Sequence, residues 1–293
     1  MKRVLIILII ALTAFINCGV AQTFILDRAI DAFEQQNYKQ AKILIDSAVM
    51  QSGSPDNPET WYYRAGIYKG IYKAQQSDDR FSPAREEAIT SLKYFLMLDD
   101  SSKFYDSAVK SVKYLASTYY NDAVKDMNNQ MFEYSAANYE KHKSAWLLIE
   151  KNRNFTVDDI GYKEALGTVY MNLCNTGKER NNPYYEKSIH VFAELLELDP
   201  NNWNANYNTG ILMYNRAVSI IKDMEYDTDL ITLDMVQTNC IKLFFTSLPY
   251  MKKAHKLRPA NQEPIAGLTG IYFSLNEPDY FRQYKEMLND QGN

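Results

Sequence analysis

Apolar residues recur at helical spacing along most of the chain, and the pattern is clearest between residues 184 and 217. Ser188, Phe192 and Leu195 are four and three residues apart, so a helix places them on one face. The polar segment DPNN at 199–202 follows, and a segment of this kind stops one helix and caps the next. The pattern therefore predicts two amphipathic helices joined by a short turn.

The same pattern recurs about six times after the first 21 residues. With 11 Gly and 9 Pro, the chain has too few turn residues for a β-sandwich or barrel built from many short strands. We therefore predict an all-α protein, an α-solenoid in which about six helix-turn-helix pairs stack into a superhelix. The predicted pairs run from Phe24 to Met50, from Asn57 to 99–100 and from about Phe104 to Ile149. The fourth carries Leu166 and ends at Pro200, the fifth opens at Trp203 and ends before Pro259, and the sixth carries Leu268 and ends near Leu288.

The repeated positions resemble the tetratricopeptide repeat family, whose first helix carries a Trp, Leu, Gly, Tyr pattern and whose second helix ends at a Pro turn. The residues that carry the resemblance are Trp61, Arg64, Ala65 and Tyr68 in one pair, and Leu166, Gly167, Tyr170, Phe192 and Pro200 in another. The resemblance is to exported bacterial members and implies a protein-binding scaffold or adaptor without enzymatic activity.

The repeats are longer than the usual length of about 34 residues. The longest departure is the segment 223–245, which separates the two helices of the fifth pair. The sequence leaves open whether this insertion extends a helix or forms a flap.

The first 21 residues have the pattern of a signal peptide. A positive start at Lys2 and Arg3 precedes an apolar run from 4 to 16, and small residues at 19–21 predict a mature chain that begins at Gln22. The mature domain would then span 22–293 and be periplasmic or secreted. Cys18 leaves an alternative, in which it is lipidated and anchors the protein to the outer membrane.

The charge of the chain argues against nucleic acid as a ligand. The formal net charge is −4, and loss of Lys2 and Arg3 with the signal peptide changes it to about −6. The basic residues are also spread along the helices, so no block of them neutralises phosphates. Cys174 and Cys240 remain after cleavage, either as buried apolar side chains or, if they meet, as a disulfide.

The sequence also argues against an enzyme. His142, His190 and His255 fall singly on different predicted helices, and none has a Cys or carboxylate at the spacing of a metal site or catalytic triad. No Gly-rich phosphate loop is present, and no cofactor or metal is predicted. The acidic pairs at 78–79, 99–100 and 158–159 fall at turns and helix starts, where aspartates cap helices.

A solenoid of helix pairs leaves one surface lined by the first helix of each pair, and such surfaces bind extended or helical peptides. We predict the binding residues from the faces of the first helices that packing does not use. They are Tyr62, Lys69, Glu164, Asn172, Tyr207, Tyr214 and Asn215. Two functions remain: a soluble adaptor that holds a segment of a partner protein, and a component of an outer-membrane assembly or nutrient-uptake complex anchored through Cys18.

Overall fold

The computed structural model describes residues 24–51, 56–99, 103–176, 183–225 and 227–290. The predicted signal peptide and Cys18 lie outside these residues. The described ranges consist of helices, turns and connecting segments without a strand, so the prediction of an all-α protein is confirmed.

Twelve α-helices occupy the described ranges. They are α1 (24–34), α2 (Tyr38–Val49), α3 (Pro58–Ile71), α4 (Pro83–Leu98), α5 (Tyr105–Asn128), α6 (Phe132–Leu147), α7 (Thr156–Thr176), α8 (Pro183–Leu198), α9 (Trp203–Lys222), α10 (Leu230–Leu257), α11 (Gln262–Ser274) and α12 (Pro278–Asp290). A wider helical turn of the π type, Tyr72–Gln76, extends α3.

The helices pack in consecutive pairs, and the pairs belong to two compact units that meet in sequence at Arg153 and Asn154. Unit 1 holds α1/α2, α3/α4 and α5/α6, and unit 2 holds α7/α8, α9/α10 and α11/α12. Each unit is a stack of three helix-turn-helix repeats, in which a second helix also contacts the first helix of the next pair. The six predicted pairs are therefore confirmed.

Asparagine side chains start several of these helices. Asn57 Oδ1 accepts a hydrogen bond from the Glu59 amide at 2.9 Å, and Asn261 Oδ1 accepts one from the Glu263 amide at 2.8 Å. Asn202 caps α9 in the same way through the Ala205 amide, directly after α8 has ended at Leu198. Each cap satisfies a backbone donor that the first turn leaves free, which explains why the DPNN segment separates two helices.

A buried ion pair fastens α4 to α5 in the core of unit 1. The Arg85 side chain is 0% exposed, and its Nη1 donates to Asp122 Oδ2 at 2.7 Å. Its Nη2 donates to the Arg80 carbonyl oxygen at 2.7 Å, and the guanidinium lies 4.1 Å from the centre of the Tyr119 ring. Burial of a charge is tolerated only with such partners, so this cluster fixes how the second and third pairs meet.

The fourth pair depends on a close approach between Gly167 and Phe192. The Phe192 ring is fully buried, and a Cβ on Gly167 would come within 2.6 Å of it. Glycine therefore allows α7 and α8 to pack at this distance. Beyond this contact, the core of unit 2 is built around Met251, Phe244, Leu268 and Ile271.

The insertion is mainly an extension of the second helix of the fifth pair. Residues 223–225 and 227–229 precede α10, which then runs for 28 residues from Leu230. Cys240 and Phe244, within the insertion, are buried against unit 2. Cys240 Sγ lies 3.6 Å from the Ala217 carbonyl oxygen, while Cys174 is half-buried, and neither cysteine is in a disulfide.

Candidate functional site

The first helices of successive pairs are joined directly by side chains in unit 1. The Tyr62 hydroxyl of α3 donates to Ser107 Oγ of α5 at 3.0 Å, and Lys69 Nζ donates to Ser111 Oγ at 2.6 Å. Burial, together with the positive charge of Lys73, lowers the pKa of the Lys69 ammonium. Two of the predicted binding residues therefore hold one repeat to the next.

The Tyr62 ring is packed and does not lie on an unused face of α3. It stacks on Phe104 with centroids 4.3 Å apart and lies 5.7 Å from Phe95. Phe104, which directly precedes the next first helix, therefore packs on part of this ring. Periodicity within one helix cannot show that neighbour.

In unit 2, Glu164 of α7 connects two successive first helices in a similar way. Its carboxylate accepts a hydrogen bond from Asn202 Nδ2 at 2.9 Å and another from Asn204 Nδ2. Since Asn202 also caps α9, one carboxylate ties the middle of α7 to the start of the next first helix.

The two predicted tyrosines of α9 are also packed. Tyr207 stacks on Trp203, with centroids 5.1 Å apart and planes inclined by 8°, and Tyr214 lies 5.7 Å from Phe244. Burial, and secondarily the charge of Glu263, raises the pKa of the Tyr207 phenol. Both rings are half-buried and keep part of their surface in solvent, so their role in binding stays a prediction.

The remaining predicted residues, Asn172 and Asn215, are exposed on α7 and α9. The structure adds Phe273 of α11, which is 70% exposed and was not predicted. A sequence signal for it exists, because Phe273 follows Thr269 by four residues, just as Tyr214 follows Gly210.

The residues of unit 2 form a surface that we call the first-helix face. The helices α7, α9 and α11 that carry it are in contact, since Glu164 of α7 reaches α9, and a Cβ added to Gly270 of α11 would come within 2.5 Å of the Tyr214 hydroxyl of α9. The face is defined by Glu164, Asn172, Tyr207, Tyr214, Asn215 and Phe273.

The first-helix face offers hydrogen-bonding and aromatic groups in place of reactive ones. Among the described residues, no group of three or more His, Cys, Asp and Glu side chains is arranged to hold a metal ion. His142 is buried, with Nδ1 2.8 Å from the Ala116 carbonyl oxygen, and His190 is exposed beside Glu194. None of the three histidines is among the residues that define the first-helix face.

Two surface clefts lie elsewhere in the described chain. One, of about 490 Å³, lies beside the insertion and is lined by residues that include Arg216, Asp223 and Glu225. The other, of about 380 Å³, lies in unit 1 beside Tyr38 and Tyr68. Neither includes a residue of the first-helix face.

Comparisons with known proteins give distant similarities only. No protein-family model matches the chain, and no curated protein matches it. The chain is similar to the solved structure of a MamA D159K mutant, at 12% identity and a TM-score of 0.34 over 93% of this chain and 98% of that chain. It is similar to PilW, described as a type IV pilus biogenesis factor, at 13% identity and a TM-score of 0.35 over 92% and 93%. It is also similar to PilF of Pseudomonas aeruginosa, at 12% identity and a TM-score of 0.34 over 94% and 93%.

Similarity at this level does not identify a function for the chain. The fold is instead established by its own helix pairs.

In the ranges that the structure describes, no helix has the combination of length and apolar character needed to cross a membrane.

Proposed function

We propose that this protein is a non-enzymatic scaffold that binds a segment of a partner protein on the first-helix face of unit 2. The observation that carries the proposal is the set of half-buried tyrosines, exposed asparagines and an exposed phenylalanine on α7, α9 and α11. Tyrosine buries a large area at a small cost in side-chain entropy and keeps a polar end, which suits it to recognition.

The packing beneath the face supports this role. The Trp203 ring stacks on the Tyr207 ring, and Trp203 Nε1 donates a hydrogen bond to the Ala254 carbonyl oxygen at 3.0 Å. Arg258 lies 4.3 Å from the centre of the Trp203 ring. These contacts fix the Tyr207 ring before any partner arrives, and a surface that is already ordered loses less entropy on binding.

The predicted binding residues therefore divide into two groups. Glu164, and in unit 1 Tyr62 and Lys69, hold successive first helices together. Asn172, Asn215 and the exposed parts of Tyr207 and Tyr214 lie at the surface, where the partner would contact them. We add Phe273 to this second group, because an exposed ring beside polar groups is a strong candidate for an anchor in an interface.

Photo-crosslinking in the native cell tests the proposal. A benzoylphenylalanine at Asn215 or at Phe273 is expected to give an adduct with one and the same partner protein. Matched controls are the exposed positions Glu197 on α8 and Gln283 on α12, which belong to the second helices of unit 2. Adducts of equal yield at the control positions, or none at Asn215 and Phe273, would contradict the proposal.

We propose further that the scaffold is exported and acts in the cell envelope. The support is the charged start, apolar run and small residues of the first 21 positions. The mass of the protein recovered from its native source distinguishes a soluble form from a lipid-anchored form. A chain that begins at Gln22 is the expected soluble adaptor, and a lipid on Cys18 would replace it with an anchored component of a membrane assembly.

A further inference from the structure

Lys69 of α3 differs from the other basic residues that are packed into unit 1, because it has no carboxylate partner. Its Nζ donates to Ser111 Oγ at 2.6 Å, and among the described residues it takes part in no ion pair. Every other buried or half-buried Lys or Arg in the described part of unit 1 lies within 3.1 Å of a carboxylate oxygen. These residues are Arg64, Arg80, Arg85, Lys141, Lys143 and Arg153. Lys69 is therefore a partly desolvated cation whose charge the unit does not compensate.

A second lysine lies one turn after Lys69, in the π-type turn that extends α3. Lys73 is exposed, and it also forms no ion pair within the described chain. Burial, and secondarily the positive charge of Lys73, lowers the pKa of the Lys69 ammonium, so the two charges are close enough to repel each other. Like charges one helical turn apart are unfavourable. An anion placed between the two ammonium groups would offset this repulsion.

Two hydroxyl-bearing residues of α5 complete this surface, which we call the lysine site: Lys69, Lys73, Ser111 and Tyr114. The Ser111 hydroxyl donates to the Ser107 carbonyl oxygen at 2.9 Å, so its oxygen is oriented to accept from Lys69. Lys73 Nζ lies 5.3 Å from the centre of the Tyr114 ring, which is partly exposed. An ammonium group has three N–H donors, so Lys69 keeps donors for a ligand beside its bond to Ser111.

We propose that the lysine site binds carboxylate side chains of an acidic segment of a partner protein. Charge complementarity selects this occupant, since two ammonium groups without a carboxylate of their own match the side chains of Asp and Glu. The proposal is independent of the first-helix face of unit 2, with which the lysine site shares no residue. Each can therefore fail without the other.

The extent of the surface favours a peptide over a nucleic acid. Contacts with α5 extend from Tyr62, which donates to Ser107, to Lys73 beside Tyr114, along about 16 Å of helix. This length corresponds to about five residues of an extended peptide. A nucleic acid is bound by neutralising several phosphates along its backbone, and two lysines on a chain of net charge −4 supply few such contacts.

Fluorescence anisotropy of a labelled peptide with the purified protein tests the proposal. The probe is an oligoglutamate of about six residues with an amidated C-terminus, so that only side-chain carboxylates are present. We expect a dissociation constant between about 10 µM and 1 mM, because the site supplies few charge-assisted hydrogen bonds. The corresponding oligoglutamine is expected not to bind.

Charge-removing variants locate the binding. Lys69→Met keeps an apolar stem of similar length and is expected to raise the dissociation constant at least about tenfold, since a charge-assisted contact is lost. Lys73→Met is expected to raise it about threefold or more, and because Lys73 is exposed this variant tests the site without disturbing the core. The matched control is Lys93→Met, which removes an exposed lysine on the second helix α4 and is expected to leave the affinity unchanged.

Stability distinguishes a binding role of Lys69 from a structural one. The charge of Lys69 is partly desolvated and uncompensated in the free protein, so Lys69→Met is expected to leave the urea midpoint of unit 1 unchanged or higher while it weakens peptide binding. If Lys69 serves only to join α3 to α5, the same substitution lowers the midpoint and leaves the affinity unchanged. That result would overturn the proposal.

Other results would overturn it as well. One is the absence of oligoglutamate binding at about 1 mM, or equal binding of oligoglutamine. Another is a loss of affinity in Lys93→Met as large as in Lys69→Met, since binding would then follow the overall charge. A single-stranded DNA of the same charge that binds at least as tightly as the oligoglutamate would assign the lysine site to phosphates instead.

Discussion

Replacing Asp122 by alanine is expected to destabilise unit 1 by about 3 kcal/mol, at the lower end of the range for breaking a buried ion pair. The cause is Arg85, whose side chain is 0% exposed and would keep its charge without the carboxylate at 2.7 Å. The lower end applies because the Asp122 side chain is 17% exposed, so water that reaches this site replaces part of the lost interaction between the carboxylate and Arg85. Urea denaturation followed by circular dichroism measures the change.

Two further variants show that the uncompensated charge is the cause. Asp279→Ala breaks a pair in which Arg282 is 70% and Asp279 87% exposed, and its expected cost is below about 1 kcal/mol. Arg85→Met combined with Asp122→Leu removes both charges of this pair, so it is expected to recover much of the stability lost in Asp122→Ala. Equal losses for Asp122→Ala and Asp279→Ala would show that Arg85 is not held by this pair.

Replacing Phe192 by alanine is expected to destabilise unit 2 by about 3–5 kcal/mol. Its ring is fully buried between α7 and α8, and its removal costs both apolar burial and a cavity against Gly167. Loss of the α8 packing should appear as a lower urea midpoint for the helices of unit 2, measured by hydrogen exchange.

Gly167→Ala provides the complementary test of the same contact. In the wild type its Cβ would meet the Phe192 ring at 2.6 Å, so a loss of about 1–3 kcal/mol is expected. In the Phe192→Ala background the ring is absent, and the same substitution should become neutral or stabilising, since alanine favours helices over glycine. Gly161→Ala on the same helix is the control, because nothing lies within 4 Å of its Cβ, and it should not destabilise in either background. A Gly167→Ala loss that is equal in both backgrounds would refute the contact.

The helix pairs could be predicted from sequence because their signals are local. Apolar spacing in α8 and the asparagine before α9 depend on residues within a turn or two, and the structure contains both features as predicted. The boundaries of α3 follow in the same way from Asn57 and Pro58, since the cap and the proline act on their own helix.

The candidate site was less predictable because it depends on contacts between repeats. Tyr62 and Glu164 lie on first helices, as the sequence predicts, but their partners Ser107 and Asn204 lie 45 and 40 residues away in the chain. Phe273 was not predicted because it is exposed where the sequence pattern suggests burial. An apolar residue inside a helix is usually assigned to the core, and only the packing of α11 shows that this ring remains outside.

Hydrogen exchange of the protein alone and in complex with the partner recovered by crosslinking at Asn215 tests the scaffold proposal most directly. The proposal predicts slower amide exchange in α9 and α11 on binding, with the second helices α8 and α12 unchanged. Protection confined to α8 and α12, or no change in α9 and α11 at saturating partner, would contradict it.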